Sequence, residues 1–400
     1  MRHVVVFREP SARNSSLLSS VLGVGEFRGC RARDATVVLR ARRPGSGAAR
    51  VYERLGVAVA DLDHDQIGRL ERLDSVAALV PNTRCFVPAS AEAGSTTARD
   101  SRPAPAHSWC LDLIGVSQDL GRLGRGATVA VLDTGIDFGH PDLSQRVRQN
   151  GQAASFVPGE SAHDGHGHGT HCAGVVGGPR CSSSGTRYGV APEVTLLVGK
   201  VLSDLGTGFT DWILEGIDWA AANGARVISM SCLSSRSAGE PHSVVYERVA
   251  ESLLMGSPGT LLLAPAGNAS ARPWHTRPVD NPAACPSLVA VAAVRRGRQV
   301  ASFSGRQMDE AGEVNLSAPG VNVHSAWTGG GFRSLSGTSM AVPHVAGVAA
   351  LYLEERPTLT ARELRQALES RARPLGDPRD YGRGLVQATR SPMWPGGHGR

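Results

Sequence analysis

Ser336-Gly337-Thr338-Ser339-Met340-Ala341-Val342-Pro343-His344-Val345-Ala346-Gly347 is a turn of small residues that runs into an apolar stretch, Val345 to Leu353. The pattern predicts a helix whose N-terminus carries one hydroxyl, that of Ser339. Backbone N–H groups converge at such an end, and the helix dipole favours negative charge there. A serine so placed can attack a carbonyl while its own amide holds the resulting oxyanion. A Gly-Thr-Ser turn before a helix is also an ordinary cap. The rest of the chain decides between these readings.

A serine nucleophile needs a base and a group that orients the base. Upstream lies His163-Asp164-Gly165-His166-Gly167-His168-Gly169-Thr170-His171-Cys172-Ala173-Gly174, and before it Val129-Ala130-Val131-Leu132-Asp133-Thr134-Gly135. The order is Asp133, His168, Ser339. In these three stretches the chain resembles the subtilisin-like serine proteases (subtilases), and within them the proteinase K-like branch. The resemblance runs from about Trp109 to about Ala388. It implies a serine endopeptidase with Ser339 as nucleophile, His168 as general base and Asp133 as the residue that holds the imidazole. It selects His168 as the first histidine of His-Gly-Thr-His; His171 is then a packed helical residue.

Composition is compatible with this. Hydrophobic residues make up 41% and charged residues 20%, ordinary for a globular chain. The net charge is +6, but the arginines are dispersed and Lys200 is the sole lysine. This reads as solvated surface and argues against a nucleic-acid footprint. No apolar run approaches the roughly 18–20 residues of a membrane span. Met1-Arg2-His3 leads directly into Val4–Phe7 and then Arg8-Glu9-Pro10, too short an apolar stretch for a signal peptide. The compartment stays open, because the resemblance points outside the cell. The seven cysteines are scattered and define no disulfide framework.

Residues 1–85 predict a small α+β unit. Strand signals fall at Val4–Phe7, Ala35–Ala41, Val51–Leu55, Val57–Leu62 and Val76–Val80, with helix patterns at Ser11–Leu22 and Asp63–Leu73. Its second half resembles the inhibitor I9-type pro-domains, of ferredoxin-like fold, that precede subtilase catalytic domains. Residues 86–107 are rich in Ala, Ser, Thr and Pro without periodicity, which reads as a linker. By resemblance the chain cuts itself between about Thr83 and Trp109, at a bond no residue marks.

Residues 108–390 predict an α/β domain. The runs Ala127–Leu132, Val194–Val201, Val227–Met230, Thr260–Ala264, Leu288–Val294 and Val314–Ser317 lack polar alternation. They read as strands of a parallel sheet buried on both faces. Thr210–Asn223 and Glu363–Ala372 read as helices. This rhythm predicts a three-layer domain with its site beyond the carboxyl ends of the strands. Residues 391–400 read as a loose tail.

Alternatives attach to several residues. His163, Asp164, His166, His168 and His171 have the composition of a zinc site. Cys172 reads as a small core residue and not as a nucleophile. Asn268, in Ala266-Gly267-Asn268, is either a Gly-Asn turn or, by resemblance, a side-chain donor to the oxyanion. The resemblance also supplies two edges for an extended polypeptide substrate, Leu205-Gly206-Thr207 and Ser231-Cys232-Leu233. The family's usual second edge is Ser-Leu-Gly. Leu233 in place of glycine predicts a narrowed pocket that takes Ala over Phe at the residue before the scissile bond.

No cofactor is needed for this chemistry. Structural calcium is implied at the Pro286 and Leu288 carbonyls with Asn315, weakened because Asn315 stands where the family has a carboxylate. Two functions fit the sequence. One is a monomeric protease zymogen inhibited by its own pro-domain. The other is a binding protein on the same fold that cuts itself once and keeps the pro-domain as a plug.

Overall fold

In the computed structural model of the chain, the described residues are 1–23, 25–28, 36–40, 49–88, 107–117, 120–150 and 152–388. Most of the expected linker and all of the expected tail lie outside them. So does Cys30; the other six cysteines are free thiols.

The N-terminal unit holds β1 (Arg2–Phe7), α1 (Arg13–Leu22), β2 (Gly25–Arg28), β3 (Thr36–Arg40), β4 (Ala49–Tyr52), β5 (Val57–Asp61), α2 (His64–Glu71) and β6 (Val76–Pro81). The strands form one sheet in the order β2-β3-β4-β5-β1-β6. Its pairings are antiparallel. Helix α2 starts where the sequence indicates: the Asp63 side chain accepts from the Gln66 amide, and the Gln66 side chain accepts from the Asp63 amide. Strand β2 was not expected. It carries no apolar alternation and exists as the partner of β3.

A short strand, β7 (Arg84–Phe86), follows, and α3 (Trp109–Leu113) opens the larger domain. Seven strands build its sheet: β8 (Thr128–Asp133), β9 (Gln152–Ser155), β10 (Thr195–Lys200), β12 (Val227–Met230), β13 (Leu261–Pro265), β14 (Val289–Val294) and β15 (Leu316–Pro319). They lie in the order β15-β14-β13-β12-β8-β10-β9, and every pairing is parallel. The predicted apolar runs are these strands, displaced by a residue or two. Polar β9 escaped the sequence because it is an edge strand with β10 on one side only.

Burial on both faces explains the uninterrupted apolar sequence of β8. Val129 and Val131 pack into one core with α5 (His168–Gly177), α8 (Thr338–Glu355) and α9 (Ala361–Ser370). Ala130 and Leu132 pack into the other, with α6 (Thr210–Ala222) and α7 (Val244–Leu254). Each fully buried Val or Leu stabilises the fold by about 1.5–3 kcal/mol. Val4, Val6, Leu55 and Val57 of the N-terminal unit belong to this second core, so its sheet packs on α6 and α7. The remaining elements are α4 (Ser144–Asn150), β11 (Thr207–Phe209), the hairpin of β16 (Val323–Trp327) and β17 (Gly331–Leu335), and α10 (Pro378–Tyr381). No helix of the described residues is long and apolar enough to cross a membrane.

Candidate active site

Asp133 is the last residue of β8 and is wholly buried. His168 is the first residue of α5. The His168 ring nitrogen Nδ1 lies 2.8 and 2.9 Å from the two Asp133 carboxylate oxygens. An ionised carboxylate only accepts, so Nδ1 carries the proton and Nε2 is left as the basic nitrogen. Burial works against the imidazolium, but the Asp133 charge and hydrogen bond outweigh it and hold the His168 pKa well above 6.5.

The loop before His168 is tied down by Asp164. Its carboxylate accepts from the Gly167 and Thr170 amides at 2.8 Å each and from the Thr134 hydroxyl at 2.8 Å. Burial alone would raise its pKa; these bonds lower it. Thr134 in turn accepts from the Gly169 amide at 2.9 Å. One buried carboxylate thus fixes the strand end carrying Asp133 to the helix start carrying His168. Sequence reasoning missed this role; the placement of Asp164 four residues before His168 was the available signal.

Ser339 is the second residue of α8, whose N-cap is Gly337. Its hydroxyl oxygen is buried and has no hydrogen-bond partner among the described residues. Pro343, inside the helix, has no N–H to offer the Ser339 carbonyl four residues back. That carbonyl instead accepts from the Ser231 hydroxyl at 3.3 Å and lies 3.7 Å from the Cys172 sulfur. The same sulfur is 3.8 Å from His168 Nδ1, so the first turns of α5 and α8 meet across it. Burial pushes the Cys172 pKa up, which keeps it a thiol.

Asn268 follows β13 through Gly267, whose φ of 110° suits glycine. Its side-chain oxygen accepts from the Thr338 amide at 2.8 Å and the Thr338 hydroxyl at 2.7 Å. With the oxygen occupied, the amide nitrogen is turned to the other side, where a Cβ on Gly337 would lie 3.0 Å from it. The donor therefore stands beside the start of α8.

The zinc cluster does not assemble. His171 Nε2 donates to the Val323 carbonyl at 2.9 Å, and burial lowers its pKa to about 3. Asp164 is spent on the loop. The calcium candidates are also engaged. Arg365 donates to the Pro286 carbonyl at 2.7 Å, and the Ala290 amide donates to the Asn315 side-chain oxygen at 2.7 Å. Leu288 is a buried residue of the second core. A guanidinium at one supposed ligand and a committed amide at another do not fit a divalent cation.

The two expected substrate edges flank β7. Strand β7 pairs antiparallel with β11, Phe86 opposite Thr207. On its other side, the Phe86 amide donates to the Leu233 carbonyl at 2.9 Å and the Leu233 amide to the Phe86 carbonyl at 3.0 Å. The Val87 amide donates to the Gly206 carbonyl at 2.8 Å. Leu205 stands 86% exposed at the rim, while Cys232 is buried. A cavity of about 530 Å³ takes in Val87, Pro88, His166, His168, Gly206 and Trp327. Residues 84–86, expected at the end of the N-terminal unit and start of a linker, are a strand because both neighbours offer backbone partners.

The N-terminal unit is also held by charge. Asp211, Glu215 and Asp218 recur at helical spacing along α6. Asp211 meets Arg2 at 2.9 Å, Glu215 meets Arg50, and Asp218 meets Arg54 at 3.1 Å. The Thr83 carbonyl accepts from the Thr210 amide at 2.9 Å, satisfying an open N–H at the start of α6.

A parallel sheet with a carboxylate, an imidazole and a helix-start serine gathered at its carboxyl edge is the layout of a serine hydrolase. The subtilase family (Peptidase_S8) matches residues 124–384. A thermostable alkaline protease of Halalkalibacterium halodurans is 38% identical over 343 residues, 85% of this chain and 84% of that protein. Subtilisin E of Bacillus subtilis is 41% identical over 268 residues, 66% of this chain and 65% of that protein. The crystal structure of a cold-adapted subtilisin-like serine proteinase aligns with a TM-score of 0.57 at 33% identity, over 71% of this chain and 97% of that one. The chain belongs to the subtilase family and is a serine endopeptidase.

Proposed function

We propose that the chain is the self-cleaving precursor of an endopeptidase. Ser339 attacks the substrate carbonyl. His168 Nε2 takes the hydroxyl proton and returns it to the leaving amine. Asp133 keeps the imidazole in the required tautomer and stabilises the imidazolium. The Ser339 amide and the Asn268 side chain receive the oxyanion. A polypeptide substrate enters as an added strand between Leu205–Thr207 and Ser231–Leu233.

Residues 1–85 act as a tethered inhibitor of the domain that follows. The observation that carries this reading is residues 84–88. They bond through their backbone to both edges at once, and Pro88 shares a cavity with His168. The chain's own segment thus stands where a foreign polypeptide would. The ion pairs to α6 support the same reading.

Wild type and Ser339→Ala, purified side by side, test it. Wild type should split between Thr83 and Trp109 and degrade casein, and the variant should do neither. Splitting without casein hydrolysis, even after residues 1–85 are digested away, would favour the plugged binding protein. An intact wild-type chain would contradict the precursor reading.

A further inference from the structure

We propose that the chain cuts itself after Pro88, so that its site accepts proline as the acyl residue; this rests on the precursor reading above. The argument is one of register. Phe86 and Leu233 exchange both backbone hydrogen bonds in an antiparallel bridge. Counting outward along the two strands, Val87 faces Cys232 and Pro88 faces Ser231. Ser231 donates its hydroxyl to the Ser339 carbonyl at 3.3 Å. The residue opposite Ser231 is therefore the one whose carbonyl register carries to the nucleophile.

Burial along the segment singles out two side chains. Cys85 and Pro88 are buried, Val87 is half-buried and Phe86 is 43% exposed. Selection then falls on positions 85 and 88. Cys85 lies 3.5 Å from the Tyr246 hydroxyl and in one apolar core with Cys232, a setting that takes a small, uncharged side chain. At position 88 the ladder expects an N–H for the Ser231 carbonyl, because pairs two residues on from a doubly bonded pair are doubly bonded too. Proline has no N–H to give. Its presence leaves that bond unmade and sets the rate of self-cleavage below what another small residue would allow.

The step balances without a further reactant. The Ser339 hydroxyl oxygen bonds to the Pro88 carbonyl carbon as the bond to the nitrogen of Ala89 breaks. His168 passes the hydroxyl proton to that nitrogen. Water then releases the Pro88 carboxylate and regenerates the hydroxyl.

Intact mass and N-terminal sequencing of the split full-length protein test the proposal. The expected products are residues 1–88 and a chain beginning Ala89-Ser90. Pro88→Ala should split at the same bond several-fold faster. Cys85→Arg should slow splitting at least tenfold, with Cys85→Ser close to wild type. A new N-terminus elsewhere between 84 and 109, with Pro88→Ala unchanged in rate, would overturn the bond and leave the precursor reading standing. No splitting in wild type would remove both.

Discussion

The Ser231 hydroxyl donates to the Ser339 carbonyl at 3.3 Å, where a helix would ordinarily place the amide of residue 343. Pro343 cannot supply it. The Ser339 carbonyl is thus satisfied by Ser231, so the position of the serine and the position of the proposed substrate edge are one constraint.

Removing that hydroxyl should be felt as stability. Ser231→Ala leaves a buried carbonyl with only a thiol nearby, at a cost of about 1–2 kcal/mol. Urea unfolding in the Ser339→Ala background, which prevents self-digestion, would measure it. Pro343→Ala restores an amide beneath the carbonyl, so Ser231→Ala should cost much less in that background. An equal cost in both would remove the relationship.

The pH dependence has opposite signs for activity and stability. The His168 pKa is held above 6.5 by Asp133. Activity needs the neutral ring, so kcat/KM should fall as pH drops through a midpoint above 6.5. The stability that the imidazolium draws from Asp133 is fully present below the unfolded value of 6.5 and is lost as pH rises through the folded one. Asp133→Asn should remove this stability term and lower kcat by about 10⁴-fold, as expected when the imidazole is left in the wrong tautomer. A pH–rate profile of both proteins checks this.

Asn268→Ala should reduce kcat by about 10²–10³ with little change in KM; that magnitude comes from subtilisin, a member of this family. Thr338→Val removes one of the two bonds that orient the amide and should give a smaller loss in the same parameter. Steady-state kinetics on a peptide anilide would separate the two effects. A change in KM alone would place Asn268 in substrate binding and not at the oxyanion.

Attachment of residues 1–85 should depend on salt. Arg2 and Arg50 are about half exposed and their pairs are screened, each worth about 0–1 kcal/mol. Asp218 is 8% exposed and bonds both Arg54 and Thr36, so it matters more. Asp218→Ala should shorten the lag before casein hydrolysis, and added NaCl should shorten it further in wild type. Lag times independent of both would show that the ion pairs do not hold the unit.

The residues proposed for catalysis were legible because each sits inside a contiguous motif at the end of a regular element. Asp133 closes an apolar strand, His168 opens a helix after a glycine, and Ser339 follows the Gly337 cap. The parallel sheet was legible for a related reason: burial on both faces leaves runs such as Val227–Met230 without polar breaks. What escaped was set by partners distant in the chain. Nothing local marks Arg84–Phe86 as a strand; its ladder bonds come from residues more than a hundred positions away. Asp164 reads as a metal ligand by composition, and only the fold turns its oxygens onto Thr134, Gly167 and Thr170. The surroundings of the calcium candidates were hidden for the same reason: Arg365 arrives at the Pro286 carbonyl from a separate helix.

The most direct test of the central claim is to label the activated protein with a fluorophosphonate and map the adduct by peptide mass spectrometry. A single adduct on Ser339, absent in His168→Ala, is the predicted result. A protein that degrades casein but carries the adduct on another residue, or carries none, would contradict the account.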